Sequence, residues 1–163
     1  MNAGIGYDCH RFAPGRRLVL GGVQLDHDRG LEGHSDADVL THAIIDAMLG
    51  AAALGDIGEH FPDTDPRFAG ADSIELLRAT AQLLATAGFV VGHVDVTVAI
   101  ERPKLAPVRD RIRARLAGAL ELGLDQVSVK ATRGEGMGFV GREEGVAAIA
   151  VATVGRSGEQ GMN

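Results

Sequence analysis

Hydrophobic residues recur with two periods along this chain, and the changes of period mark out its elements. Apolar and polar positions alternate through "IGYDCHRF" (5–12) and "RLVLGGVQL" (17–25), which predicts two strands. The intervening "APGR" predicts a turn that makes them a hairpin. Val39, Leu40, Ala43, Ile44, Ala47 and Met48 then follow the helical period to about Leu49. Ser35, with Asp38 three residues on, reads as a capping-box-like start for that helix. A second amphipathic helix is predicted over 73–88, stopped by Gly88. A third spans 104–122, where Val108, Ile112 and Leu116 form one apolar face among arginines. Alternation through Val94, Val96 and Val98 makes 89–101 the clearest strand, and 126–132 and 145–154 are two more. Gly- and Pro-rich stretches at 55–72 and 133–144 read as loops.

The element order is β-β-α-α-β-α-β-β, with no repeat and no interdomain linker. It predicts one domain over residues 1–154 of the α+β class: a mixed sheet with helices on one face, and a flexible C-terminal tail over 155–163. A doubly wound sheet is disfavoured, since strands and helices do not alternate regularly and no G-x-G-x-x-G follows a first strand.

Composition narrows the function classes. With 163 residues and 45% hydrophobic side chains, the chain can bury a core unaided. A net charge of −6 argues against nucleic-acid or membrane-surface partners, which need a basic footprint. One cysteine forms no internal disulfide, and no N-terminal apolar run reads as a signal peptide, so a cytoplasmic protein is expected.

Candidate chemistry sits in a few short stretches. In "GYDCH", Asp8 and His10 are two apart on a predicted strand and share a face. Cys9 points the other way and reads as a small buried apolar residue. His42 and Asp46 share a face of the first helix, so Asp46 is a candidate to orient the imidazole from behind. Asp8, His10 and His42 would form a three-ligand site with an open fourth position, the pattern of catalytic zinc. Spacing alone leaves open whether they meet or stand as separate polar residues. "GHSD" (33–36) places His34 and Ser35 at a predicted helix N-terminus, where free N–H groups suit a phosphate. "KATRGEG" (130–136) is a Gly-flanked turn able to offer cations and N–H groups to a diphosphate, with Glu135 available to a harder metal.

Taken with "HSDADVLTHAIIDAMLGAAALGDIGEHFPDTDP", "GADS", "VKAT", "GF" and "GREEG", the chain resembles the 2-C-methyl-D-erythritol 2,4-cyclodiphosphate synthase family of the non-mevalonate isoprenoid pathway, from about Gly4 to Val154. The resemblance implies a ferredoxin-like α/β sandwich assembled as a homotrimer, with active sites between subunits. It implies that Asp8, His10 and His42 hold zinc and that Glu135 holds Mg²⁺ or Mn²⁺. His34 is implied to stabilise the transition state and Ser35 to meet a phosphate. Asp56, Ile57 and Gly58, with Phe61, Pro62, Asp63, Thr64 and Asp65, match substrate-binding runs. Ile100, Glu101, Arg102, Pro103, Lys104, Leu105 and Ala106, with Ala131 and Thr132, match a cytidine pocket. Phe139 and Arg142 match a further phosphate-contacting pair.

The implied substrate is a cytidine diphosphate compound. The implied reaction is metal-assisted intramolecular phosphoryl transfer that releases CMP. One position departs from the family pattern: Arg133 stands where a second threonine is usual, in the place of a phosphate-contacting catalytic group. A guanidinium can neutralise phosphoryl charge, but it is bulky. Two alternatives therefore stand beside the synthase: a non-catalytic trimer that binds zinc and a diphosphate, and a zinc phosphohydrolase.

Overall fold

The computed structural model describes residues 1–158. Strand β1 (Asn2–Pro14) pairs with β4 (Arg29–Leu31) on one side and β7 (Gly145–Arg156) on the other. Strands β5 (Phe89–Ala99) and β6 (Val127–Thr132) complete a sheet of order β4-β1-β7-β5-β6. All of its neighbours are antiparallel except β5 and β6. The helices are α1 (Val39–Ala52), α2 (Ile57–His60), α3 (Ser73–Thr86), α4 (Arg109–Leu120) and α5 (Gly138–Gly141). Helices α1, α3 and α4 pack on one face of the sheet, giving the expected α+β layers. None of the helices among the described residues is long and apolar enough to cross a membrane.

Alternation along the strands produces this one-sided burial. Val94, Val96 and Val98 on β5, and Val146, Ala148, Ala150, Ala152 and Val154 on β7, turn toward the helices and are buried. Helix α1 lies centrally and is buried on nearly all sides, with Leu40, Ile44, Ile45, Met48 and Leu49 fully enclosed. Each such side chain contributes about 1.5–3 kcal/mol by leaving water. Where α1 crosses β1, the strand carries Gly4 and Gly6. A Cβ at Gly6 would fall 2.0 Å from the Ala43 carbonyl oxygen, and one at Gly4 would fall 2.2 Å from that of Ala47. The glycines thus let helix and strand backbones touch.

Among the described residues, no helix packs on the opposite sheet face. There Ile5 is 71% exposed and Tyr7 54%. Their cross-strand partners Val151 and Ile149 are also open to solvent. Cys9 is exposed on that same face and not buried, because no helix among the described residues packs over it.

Several predicted boundaries move. Residues 17–25 do not pair with β1. They fold on themselves as β2 (Leu18–Leu20) and β3 (Val23–Leu25), turning at Gly21 and Gly22, whose φ values of 58° and 69° suit a tight two-residue hairpin turn. Helix α1 begins at Val39, capped by Asp38 and not by Ser35. Helix α4 begins at Arg109, since Pro107 disfavours helical backbone in the residue before it. Strand β7 continues to Arg156, so Gly155 and Arg156 pair with Val90 and Phe89; the rest of the expected tail, 159–163, lies outside the described residues. The main connectivity is β-α-α-β-α-β-β, with α4 crossing between parallel β5 and β6, and so differs from the β-α-β-β-α-β of a ferredoxin-like fold.

On α4, Gly118 is exposed, and a Cβ there would meet nothing within 4 Å. Gly118→Ala is expected to stabilise the fold by about 0.5–1 kcal/mol, because alanine costs less backbone entropy in a helix. Urea unfolding with an unchanged slope would measure it.

Candidate active site

The contact between β1 and α1 brings together the first three candidates. Asp8 and His10 have the same parity as Gly4 and Gly6, so they face α1, and His42 projects from its first turns. Asp8 Oδ2 lies 2.9 Å from His10 Nε2 and 3.1 Å from His42 Nδ1, and the two nitrogens are 3.3 Å apart. His10 Nδ1 is 2.6 Å from the Glu32 carbonyl oxygen. A carbonyl only accepts, so Nδ1 carries a proton, and in the neutral ring Nε2 turns a lone pair toward Asp8. A carboxylate oxygen and a ring lone pair at that distance need a cation between them. Donor atoms about 2.0–2.1 Å from a tetrahedral zinc are about 3.3 Å apart, which these separations approach. The residues present fit the metal.

The electrostatics agree. Burial pushes the Asp8 carboxyl upward, but hydrogen bonds and charge from His10 and His42 outweigh it and hold the group well below the usual carboxylate range. For His10, burial opposes protonation, yet Asp8 raises its affinity for a proton overall. The cluster is built for positive charge.

An open cavity of about 460 Å³ lies in front of these three residues. His34, Ser35, Asp46, Ile57, Gly58, Phe61, Pro62 and Asp63 share its lining, so the "GHSD" and "DIGEHFPD" segments converge on the triad as the spacing alone could not establish. The His34 ring lies 3.1 Å, through Nε2, from the carbonyl oxygen of Asp65. Asp65's carboxylate is taken up by Arg67, and Asp56 caps α2 through the Glu59 N–H. Residues 33–36 precede α1 and do not form its first turn. The buried Asp38 carboxylate accepts the N–H groups of Gly21, Gly22 and Thr41, so an anionic side chain of the protein already fills the place expected for a phosphate. Burial, together with Asp36, raises its proton affinity.

Asp46 does not orient His42. Its Oδ1 accepts the Ile57 N–H at 2.8 Å, tying α2 to α1, and burial raises its pKa. The outer nitrogen of His42, Nε2, instead meets Ser73 Oγ at 2.9 Å and Ser35 Oγ at 3.2 Å. Ser73, fully buried at the start of α3, went unread as a site residue. Its one outward sign is a hydroxyl at the start of an apolar helix face in "GADS".

The remaining candidates assemble elsewhere. Ile100 N–H donates to Thr132 O, while Glu101 accepts from Arg133 Nη2 at 2.7 Å and from the Gly134 N–H. Arg102 forms a two-pronged pair with Glu143, and Arg142 pairs with Glu144. Arg133 is thus drawn onto Glu101 and does not project freely. This second group is spread along one end of the sheet. Residues 100–106 and 131–133 lie at or beyond the ends of β5 and β6, two and three strand positions from β1, or about 10 and 14 Å. Phe139 and Arg142 stand just before β7, where the Glu144 carbonyl accepts the Phe12 N–H of β1. None of its members lines the cavity. Glu135 stands outside the one three-residue metal cluster found among the described residues.

Comparison with known proteins identifies the chain's relatives. Residues 1–155 match the family model described as the YgbB family. The chain is 65% identical over 154 residues to the bifunctional enzyme IspD/IspF of Anaeromyxobacter dehalogenans, covering 94% of this chain and 40% of that protein. It therefore spans about two fifths of the length of that bifunctional relative. It is 60% identical to the 2-C-methyl-D-erythritol 2,4-cyclodiphosphate synthase of Salinibacter ruber, covering 94% of this chain and 98% of that one. Among solved structures, the bifunctional IspDF of Campylobacter jejuni superposes with a TM-score of 0.91 at 41% identity, over 95% of this chain and 42% of that one.

Proposed function

The chain belongs to the YgbB family, and we propose that it converts 4-diphosphocytidyl-2-C-methyl-D-erythritol 2-phosphate to 2-C-methyl-D-erythritol 2,4-cyclodiphosphate with release of CMP. The observation that carries this reading is the convergence of Asp8, His10 and His42 at one end of a cavity that His34 and Ser35 also line. An oxygen of the substrate's 2-phosphate attacks the β-phosphorus of its own cytidine diphosphate arm. The new P–O bond forms as the bond to the bridging oxygen breaks, and that oxygen leaves with its electron pair on CMP. Nucleophile and leaving group are both phosphates, so no strong base is required; positioning and charge neutralisation carry the step.

Zinc held by Asp8, His10 and His42, with a Mg²⁺ or Mn²⁺ ion at Glu135 completed by phosphate oxygens, would supply Lewis-acid neutralisation of diphosphate charge. His34 and Ser35 donate to the phosphate at the reacting end. Asp56, Ile57, Gly58 and the 61–65 segment line the place of the methylerythritol unit. The 100–106 segment, Ala131 and Thr132 take the cytidine, with Lys104 near its phosphates. Arg133, Phe139 and Arg142 face phosphate from the second group. The Glu101 carboxylate holds the Arg133 guanidinium at the end of β6, and the phosphate role assigned to Arg133 requires that pair to open toward the substrate.

Two observations support a homotrimer with sites between subunits. The 100–106 and 131–133 candidates lie two to three strands from the triad within one chain and outside its cavity, and a neighbouring copy would bring such a set to the site. The exposed patch of Ile5, Tyr7, Ile149 and Val151 offers copies an apolar surface to bury.

Incubating the protein with the substrate, Zn²⁺ and Mg²⁺ and following phosphorus NMR tests the reaction. Cyclic diphosphate and CMP in equal amounts are expected. Linear products would identify a phosphohydrolase, and binding without turnover would leave only a binder.

A further inference from the structure

Behind His42, three segments meet that no zinc ligand requires by itself. Ser73, the first residue of α3, is fully buried with its Oγ 2.9 Å from His42 Nε2. The Ser73 hydroxyl donates to Asp36 Oδ1, and its backbone N–H donates to Asp36 Oδ2 at 3.0 Å. Asp36 is fixed in turn by its own N–H, which donates to the Ala71 carbonyl, and by the Asp38 N–H, which donates to its carboxylate. We propose that Asp36 and Ser73 are positioning residues that lock His42 in the tautomer able to bind the metal.

The argument is proton counting. An ionised carboxylate only accepts, so the single Ser73 hydroxyl proton is committed to Asp36. The Ser73 oxygen can then only accept from His42, and His42 must carry its proton on Nε2. That leaves Nδ1 as a bare lone pair, directed at Asp8 Oδ2 and His10 Nε2. The Glu32 carbonyl does the same for His10 from the other side, protonating Nδ1 and freeing Nε2. Both imidazoles are therefore set by acceptors outside the triad, one a backbone group and one the Asp36–Ser73 pair. A further effect falls on Ser35. Its Oγ also lies within reach of His42 Nε2, at 3.2 Å. With Ser73 taking that N–H, the Ser35 hydroxyl proton stays free for a phosphate in the cavity.

Asp36→Asn tests the relay because it reverses the logic while nearly preserving the shape. An amide nitrogen at the Oδ1 position would donate to Ser73 Oγ, with the amide oxygen kept on the Ser73 N–H at the Oδ2 position and the Asp38 N–H losing its acceptor. The hydroxyl would then turn its proton to His42 Nε2 and drive the ring proton onto Nδ1, where it blocks the metal. This inference rests on the zinc reading of the triad, so zinc affinity is measured by chelator competition, independently of turnover. Outer hydrogen bonds of this kind alter metal affinity by about 10–100-fold. Asp36→Asn is expected to lose affinity in that range, and Ser73→Ala less, because Ser35 can partly replace Ser73. Nitrogen chemical shifts of isotope-labelled His42 in zinc-free protein at mildly alkaline pH give a second readout. They should show Nε2–H in the wild type and Nδ1–H in Asp36→Asn. A wild-type Nδ1–H tautomer, or a folded Asp36→Asn that binds zinc as tightly as wild type, would overturn the relay. Wild type that takes up no zinc yet shows Nε2–H would instead overturn the zinc reading and leave the relay standing.

Discussion

His42→Ala is expected to purify without zinc and to form cyclic product about a thousandfold more slowly than wild type. His42 supplies one of three donor atoms, and two remaining ligands do not make the closed set that either structural or catalytic zinc uses. Lewis-acid neutralisation is worth several kcal/mol at a transition state that develops phosphoryl charge. At 1.36 kcal/mol per tenfold, a loss of about 4 kcal/mol corresponds to about a thousandfold in rate. The fold should survive. The substitution leaves the buried Ser35 and Ser73 hydroxyls short of one partner, a cost of about 1–3 kcal/mol that a domain of ordinary stability tolerates. Metal analysis, a thermal melt and the phosphorus NMR assay separate these effects. Full zinc occupancy in a folded His42→Ala protein would remove the metal centre from the proposed mechanism.

Gly6→Ala is expected to be severely destabilising for a single added methyl group. The added Cβ would sit 2.0 Å from the Ala43 carbonyl oxygen and 2.7 Å from the Ala47 backbone nitrogen, and backbone in the middle of a helix has no rotamer by which to yield. Overpacking into side chains usually costs about 1–3 kcal/mol. Against backbone the expected cost is about 4 kcal/mol or more, which places it among exceptional substitutions. At about 2–4 °C per kcal/mol for a domain of this size, the melting temperature should fall by about 8–16 °C. The lesion should also reach the chemistry. Relief of the clash requires α1 to retreat from β1, taking His42 from Asp8, so residual folded protein should bind zinc poorly. A melting temperature within a few degrees of wild type would mean that the helix-to-strand contact is looser than described.

The elements that sequence pattern made legible are those whose partners are simply "inside". The β5 valines and the α1 apolar face needed only a period, and the common side of Asp8 and His10 needed only the alternation of a strand. What failed were statements about which partner a residue has. Asp46 stands four residues from His42, as a helix-face argument requires. The Ile57 amide, eleven positions on, took its carboxylate because α2 folds back there. The group that does reach His42 comes from Ser73, and the group behind it, Asp36, is 37 residues from Ser73 in the chain. No periodicity connects them. The hairpin erred in a similar way: Gly21 and Gly22 turn residues 17–25 onto themselves, leaving β1 to be paired by β4 and by the last strand of the described chain. Cys9 was misplaced because alternation predicts a side of the sheet, whereas burial depends on whether anything covers that side. The resemblance to a known family proposed residues 100–106 and 131–133 as site residues, but only the sheet order reveals that they stand two to three strands from the triad.

The uncovered face of β1 and β7 has a consequence for how catalytic output depends on protein concentration. In the proposed homotrimer, where copies would bury that face against one another and complete each other's sites, the working unit would obey mass action: dilution would dissolve it, and the fraction of chains able to turn over would fall faster than the amount of protein. A substitution at Tyr7 or Ile149, remote from every phosphate, would then act on the reaction as dilution does, by lowering the number of complete sites and leaving the speed of each one unchanged.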